Sequence, residues 1–340
     1  MQAKGKLGPS IVNYSALMRQ IIFLFFWCAI ATVSAQSKDL DQAREYLAKS
    51  EFVRAERLGL QLEQQGQDAY LVNELLGDIY SAQKQWDKAL KRYGTLLEVH
   101  ADSANAHFKY GGALGMKALQ VNRFKAITYV ADIQEHFEQT VRLDPSHIPG
   151  RWALIEFYLQ LPSILGGGYD KAQEQALTLA EVSPVDGLMA KARLAEHEED
   201  WALAEKYYWR AVDRGQSIWT YQSLARFYEN RKRYKEALAV SITASGRHQD
   251  ARIDYQIGKL SVLSGAEFDQ GLQAIQKFIK EFHSENGIPL EWGYYRLAQI
   301  QRLTGEVDNA YNAIQLALTY RPKFEQAIDE KDLIVKLKGI

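Results

Sequence analysis

Residues 68–101 read DAYLVNELLGDIYSAQKQWDKALKRYGTLLEVHA, and much of the chain repeats their pattern. The stretch predicts two short helices joined by a tight turn. In the first, Leu76, Gly77 and Tyr80 stand at i, i+1 and i+4; in the second, Trp86, Ala89, Tyr93 and Leu96 stand at i, i+3, i+7 and i+10. Each set forms one apolar stripe on a helix of period 3.6. Gly77 falls where two helix backbones must approach closely. A two-helix unit this short cannot bury its own stripe and needs neighbours of the same kind.

The neighbours are present. Ala43, Gly77 and Gly111 hold the small-residue slot at intervals of 34 residues, and Ala192, Ala225 and Gly258 hold it at intervals of 33. Tyr46, Tyr80 and Tyr228 fill the aromatic slot three residues later. Ala55, Ala89, Ala172, Ala204, Ala237 and Ala310 recur in the second helix, and Leu297, Ala298, Ala310, Ile314, Ala317 and Pro322 complete the last unit. The pattern resembles the tetratricopeptide repeat family. That resemblance implies an all-α, right-handed superhelical solenoid of about eight helix-turn-helix units, a scaffold used for many unrelated binding purposes.

Read in order, the units fall near 36–67, 70–101, 104–145, 148–184, 185–215, 218–246, 251–282 and 291–322, with a capping helix over 323–340. A polar linker, 283–287, separates units seven and eight. Two units are irregular. The third carries about ten extra residues within 115–133, read as longer helices and an altered turn. In the fourth, Pro162 stops the first helix, and Gly166, Gly167 and Gly168 permit a wide turn. That glycine run lacks the Lys-Ser/Thr of a phosphate loop and follows no strand, so it reads as structural. Residues 110–212 resemble a subgroup of exported bacterial tetratricopeptide proteins, with an Asp144-Pro145 close and a Phe-Tyr-x-x-x-Pro-x-x-x-Gly-Gly insertion over 157–167. This implies location and architecture more than activity.

The chain has 340 residues, 47% of them apolar and 24% charged, and a net charge of −1. A near-neutral balance argues against nucleic acid as a partner. Residues 21–31 (IIFLFFWCAIA) form an uncharged run after Arg19, followed by Val33-Ser34-Ala35. This is the pattern of a secretory signal peptide over 1–35, with Met18 as an alternative start. The run is short of the roughly 20 apolar residues that span a bilayer, although 17–35, if uncleaved, would anchor the chain facing the periplasm. The one cysteine, Cys28, lies inside the run, so the mature chain would have no disulfide. An exported, cysteine-free helical repeat fits a bacterial periplasm.

Solenoid curvature turns the first helices toward a concave face. With the small slot as position eight, positions two, five, nine and twelve face inward. Over units six to eight they supply Trp219, Arg226, Arg252, Tyr255, Lys259, Trp292, Tyr295 and Arg302. Aromatic and arginine side chains of this kind are enriched at interface hot spots, and arginine suits a carboxylate or phosphate. The Lys-Asn clamp that cytosolic family members close on a peptide carboxylate is not reproduced. No histidine pairs with another at i+3 or i+4, and no Gly-x-Ser-x-Gly elbow occurs. The expectation is an exported, non-catalytic scaffold that binds a protein or peptide in this groove, with no cofactor or metal. The alternatives are a glycan- or peptidoglycan-associated protein and a membrane-anchored assembly factor.

Overall fold

The computed structural model describes residues 38–283 and 287–339. The leader expected at 1–35, with Met18 and Cys28, lies outside the described residues, as do 284–286 of the polar linker. Among the described residues every regular element is helical. The chain divides into two compact units, with the boundary after Arg92.

The first unit holds α1 (38–48), α2 (Phe52–Gln64), α3 (Ala69–Ala82) and the start of α4 (Trp86–Val99). Asp68 starts α3 by accepting from the backbone N–H groups of Tyr70 at 2.9 Å and Leu71 at 3.1 Å. This satisfies donors that have no partner within the helix. Leu62, Leu75, Leu76 and Ile79 are buried. The Tyr80 hydroxyl donates to Glu56 at 3.0 Å, tying α3 to the helix before it.

The second unit continues through α5 (Ala104–Ala118), α6 (Arg123–Ile127), α7 (Val130–Leu143), α8 (Ile148–Gln160), α9 (Tyr169–Val182), α10 (Pro184–His197), α11 (Trp201–Gly215) and α12 (Ile218–Asn230). It ends with α13 (Tyr234–Ser245), α14 (Ala251–Ser264), α15 (Phe268–Lys280), α16 (Leu290–Leu303), α17 (Val307–Tyr320) and α18 (Glu325–Lys338). Apart from α6, each of these helices packs mainly on the helix before it and the helix after it. This is the nearest-neighbour stacking of a helical repeat.

The tight turns share one backbone device. Glu199, Lys232, Gly265 and Gly305 all take positive φ, from 57° to 85°. In the first unit Ser50 and Lys84 do the same. The residue that follows each then donates its N–H back five positions, as Asp200 does to Ala195 (2.9 Å) and Arg233 to Tyr228 (2.8 Å). That closure satisfies a carbonyl the helix end leaves open.

The small-residue slot behaves as the repeat requires. Ala192 and Ala298 are fully buried. A Cβ on Gly258 would stand 3.0 Å from the Ile275 Cβ. A second slot lies five residues earlier, where a first helix crosses the end of the preceding one. There a Cβ on Gly187 would stand 2.3 Å from both the Cα and the Cβ of Ala180, and one on Gly150 would stand 2.7 Å from the Thr140 methyl.

The third unit corrects one expectation. Its helices are not lengthened: α5 has 15 residues and α7 has 14, like their neighbours. The extra residues form the separate α6. Asn122 caps it by accepting from the Lys125 N–H at 3.0 Å, and the Thr128 hydroxyl closes it on the Lys125 carbonyl at 2.7 Å. These short polar side chains compete with helix continuation. In the fourth unit α8 ends at Gln160 before Pro162, and a 3₁₀ turn (Ser163–Leu165) follows. A Cβ on Gly167 would fall 1.8 Å from the Leu161 carbonyl oxygen, so the turn needs glycine there.

Candidate recognition cleft

Three first helices, α8, α10 and α12, border a cleft of about 420 Å³. Its walls carry Trp152 and Glu156 from α8, Arg193 from α10, and Trp219 and Arg226 from α12. The two indoles meet edge to face, with ring centroids 5.8 Å apart at 86°. Trp152 is fixed from behind: its Nε1–H donates to Asp186 at 2.8 Å, and the same carboxylate accepts from the Ser183 hydroxyl at 2.5 Å. Ser183 also caps α10. One helix start therefore sets the orientation of one wall.

The cleft walls carry charges of both signs. Arg193 donates to Glu156 through Nε at 2.9 Å and Nη2 at 3.2 Å, the fork geometry that suits a carboxylate. Burial raises the Glu196 carboxyl above the usual carboxylate range, against the pull of the Tyr208 hydroxyl, Arg193 and Arg226. Burial and the neighbouring Glu196 likewise push the Tyr208 phenol up. Arg226 is exposed. It also borders a second hollow of about 230 Å³ beside Gln222, Glu229 and Gln256. Among the described residues no hydrogen bond or ion pair holds its guanidinium, whose charge acts on Glu196 and Tyr208.

Of the eight groove residues read from the sequence, the structure brings Trp219 and Arg226 together in this cleft. Trp219 is 41% exposed. The others are engaged elsewhere. Arg252 clasps Asp250, the N-cap of its own helix, through Nε and Nη2 (2.9 and 2.5 Å). Tyr255 packs on Phe278 at 5.5 Å. Lys259 donates to Glu229, which also accepts from Gln256 at 2.6 Å.

In the last unit the expected open face is closed. Tyr295 is only 8% exposed and belongs to the core. Trp292 lies edge to face with Phe324 at 4.5 Å, and Arg302 donates to the buried Glu330. The correction has one cause: α18 and the residue before it cover the apolar end of the stack, and the inward positions of unit eight become its seat.

Sequence reasoning missed Trp152, Glu156, Asp186 and Arg193. The signal was available. Counting back from Ile155 and Ala192, they occupy positions five, nine, two and nine of units four and five, the same inward positions. The sequence search also missed a histidine pair, because His107 and His136 lie 29 residues apart. Their Nδ1 atoms are 2.9 Å from each other, and the Tyr110 ring packs on His136 at 4.5 Å. Burial, with His107 second, lowers the His136 pKa. Among the described residues no group of three or more His, Cys, Asp or Glu is placed to hold a metal ion. No helix there is long and apolar enough to cross a membrane.

Residues 74–106 and 293–324 match family models of the tetratricopeptide repeat. The chain therefore contains these repeats, which generally mediate protein–protein interaction. No curated protein matches the chain. Among solved structures, it is similar to a tetratricopeptide repeat protein from Parabacteroides merdae, at 15% identity and a TM-score of 0.47, covering 79% of this chain and 99% of that one. It is also similar to a thermophilic TPR protein of Thermus thermophilus, at 17% identity and a TM-score of 0.46, covering 60% of this chain and 99% of that one.

Proposed function

We propose that the chain is a non-catalytic recognition scaffold, exported through its N-terminal leader, that holds an extended segment of a partner protein in the cleft between α8, α10 and α12. One observation carries the reading. Arg226 stands exposed at the junction of two hollows, beside the Trp152–Trp219 pair, while the neighbouring Arg193 is spent on Glu156. The geometry suits a large apolar side chain against the indoles, followed by a carboxylate on Arg226. The test is a screen of displayed peptides followed by titration of the best binders. Trp219→Ala and Arg226→Ala are each expected to weaken binding at least tenfold without loss of helicity. Unchanged affinity in both refutes the cleft reading.

Glu156 in the cleft wall, with Glu196 beside Arg193 and Tyr208, favours a second reading, a glycan-associated protein. Both are engaged, Glu156 by Arg193 and Glu196 by Tyr208, which suits positioning better than acid–base work. Binding of oligosaccharides but no peptide in the same titration would favour it. The intact mass of the protein from envelope fractions tests export: retention of 1–35 would make the chain membrane-anchored.

A further inference from the structure

The long connections of the third and fourth units span 119–129 and 161–168, and the second approaches the helix that follows the first. A Cβ on Gly166 would stand 2.2 Å from the Gln134 side chain, in the second turn of the helix that begins just after the first connection. Elsewhere in residues 93–340 the turns within units are short. Among the described residues these connections carry exposed apolar side chains: Phe124 is 88% exposed, Leu119 78% and Ile164 91%, with Ile127 also exposed and Met116 exposed near the end of α5. A monomeric surface seldom exposes large apolar side chains close together, as at Leu119, Phe124 and Ile127, without a use.

The sequence around the first connection carries charge of one sign. Between Asp102 and Asp132 the sequence has no acidic residue and four basic ones, Lys109, Lys117, Arg123 and Lys125, although acids and bases are almost equal over the whole chain. Arg123 and Lys125 flank Phe124 and are exposed. Lys117 lies over the Tyr129 ring at 5.6 Å. The exposed Asp132, at the start of α7, is the nearest acid in sequence.

Exposed apolar tips among cations fit one surface chemistry: hydrocarbon bordered by anionic headgroups. We propose that this edge seats on an anionic phospholipid surface, with Phe124 and Leu119 entering the interface and Arg123 and Lys125 meeting the headgroup phosphates. The contact is peripheral, needs no membrane-spanning helix, and does not rest on the cleft reading.

Hydrogen–deuterium exchange of the full chain with vesicles tests it by position, which separates this edge from the apolar run at 21–31. Vesicles of equal phosphatidylglycerol and phosphatidylcholine are expected to slow exchange over 116–128; pure phosphatidylcholine is not. By sedimentation, Arg123→Ala with Lys125→Ala should weaken the phosphatidylglycerol-dependent binding about 30-fold, at roughly fivefold per basic residue. Phe124→Ser probes the apolar part and should also weaken it. These side chains are exposed, so the fold should persist, as circular dichroism would verify. Absence of protection over 116–128, equal protection by both vesicles, or unchanged binding in both variants overturns the proposal. So does protection that depends on protein concentration without lipid, which would make a second copy the occupant.

Discussion

Replacing Gly187 with alanine should destabilise the protein, although the same exchange in an open helix stabilises it. Alanine is favoured over glycine within a helix by about 1 kcal/mol. At Gly187 that gain meets a wall. The new methyl would stand 2.3 Å from both the Cα and the Cβ of Ala180, more than 1 Å inside ordinary contact. The obstacle is backbone and its first side-chain carbon, so no rotamer change relieves it, and α9 and α10 must separate. Overpacking of this kind costs about 1–3 kcal/mol and sometimes more. The net expectation is a loss of up to about 2 kcal/mol. Gly112, in α5, is the control: nothing lies within 4 Å of its would-be Cβ, and Gly112→Ala should gain up to about 1 kcal/mol. The assay is the urea midpoint followed by circular dichroism at 222 nm. Repeat arrays depart from two-state unfolding, so the sign of the shift is the criterion. Midpoints moving in the same direction for both variants would refute the close-approach argument.

Glu330→Ala should loosen α18. It strands the half-buried Arg302 and removes a partner of Gln299, and breaking a buried pair on one side costs about 3–5 kcal/mol. Limited proteolysis should then cut near 321–325 in the variant before the parent, and equal cleavage would argue against the tie. Stability should fall on acidification. Burial lowers His136 and His147 below their ordinary 6.5, so under that pH the unfolded chain binds more protons than the folded one, and stability is lost as pH drops from 6.5 through the folded values. Urea midpoints at pH 7.5 and 5.5 measure this, and the difference should shrink in His136→Asn; a stability that rises on acidification would contradict it.

The repeat was legible because its physical cause is local. A small residue every 33 or 34 positions marks a close approach, and Ala192, Ala225 and Gly258 each sit at one. The second slot was less visible. It holds Ala106, Gly150, Gly187, Thr220, Ile253 and Gly293, too varied to show as a pattern. The groove was half legible. Positions two, five and nine do line a cleft, but in units four to six. Nothing in the inward pattern of units seven and eight tells an open position from one that Phe278, Phe324 or Glu330 will cover. That depends on partners distant from the repeat signature, as with His107 and His136.

The side-chain bonds described above share a limit with consequences for how the chain folds. Arg193 reaches Glu156 across 37 positions, Trp152 reaches Asp186 across 34, and Tyr80 reaches Glu56 across only 24. Each links a helix to one nearby in the stack. Contact order is therefore low, and little loop entropy must be spent before a contact forms. A nucleus can arise in any adjacent pair of helices and grow in either direction, and damage to one unit stays a neighbour's problem.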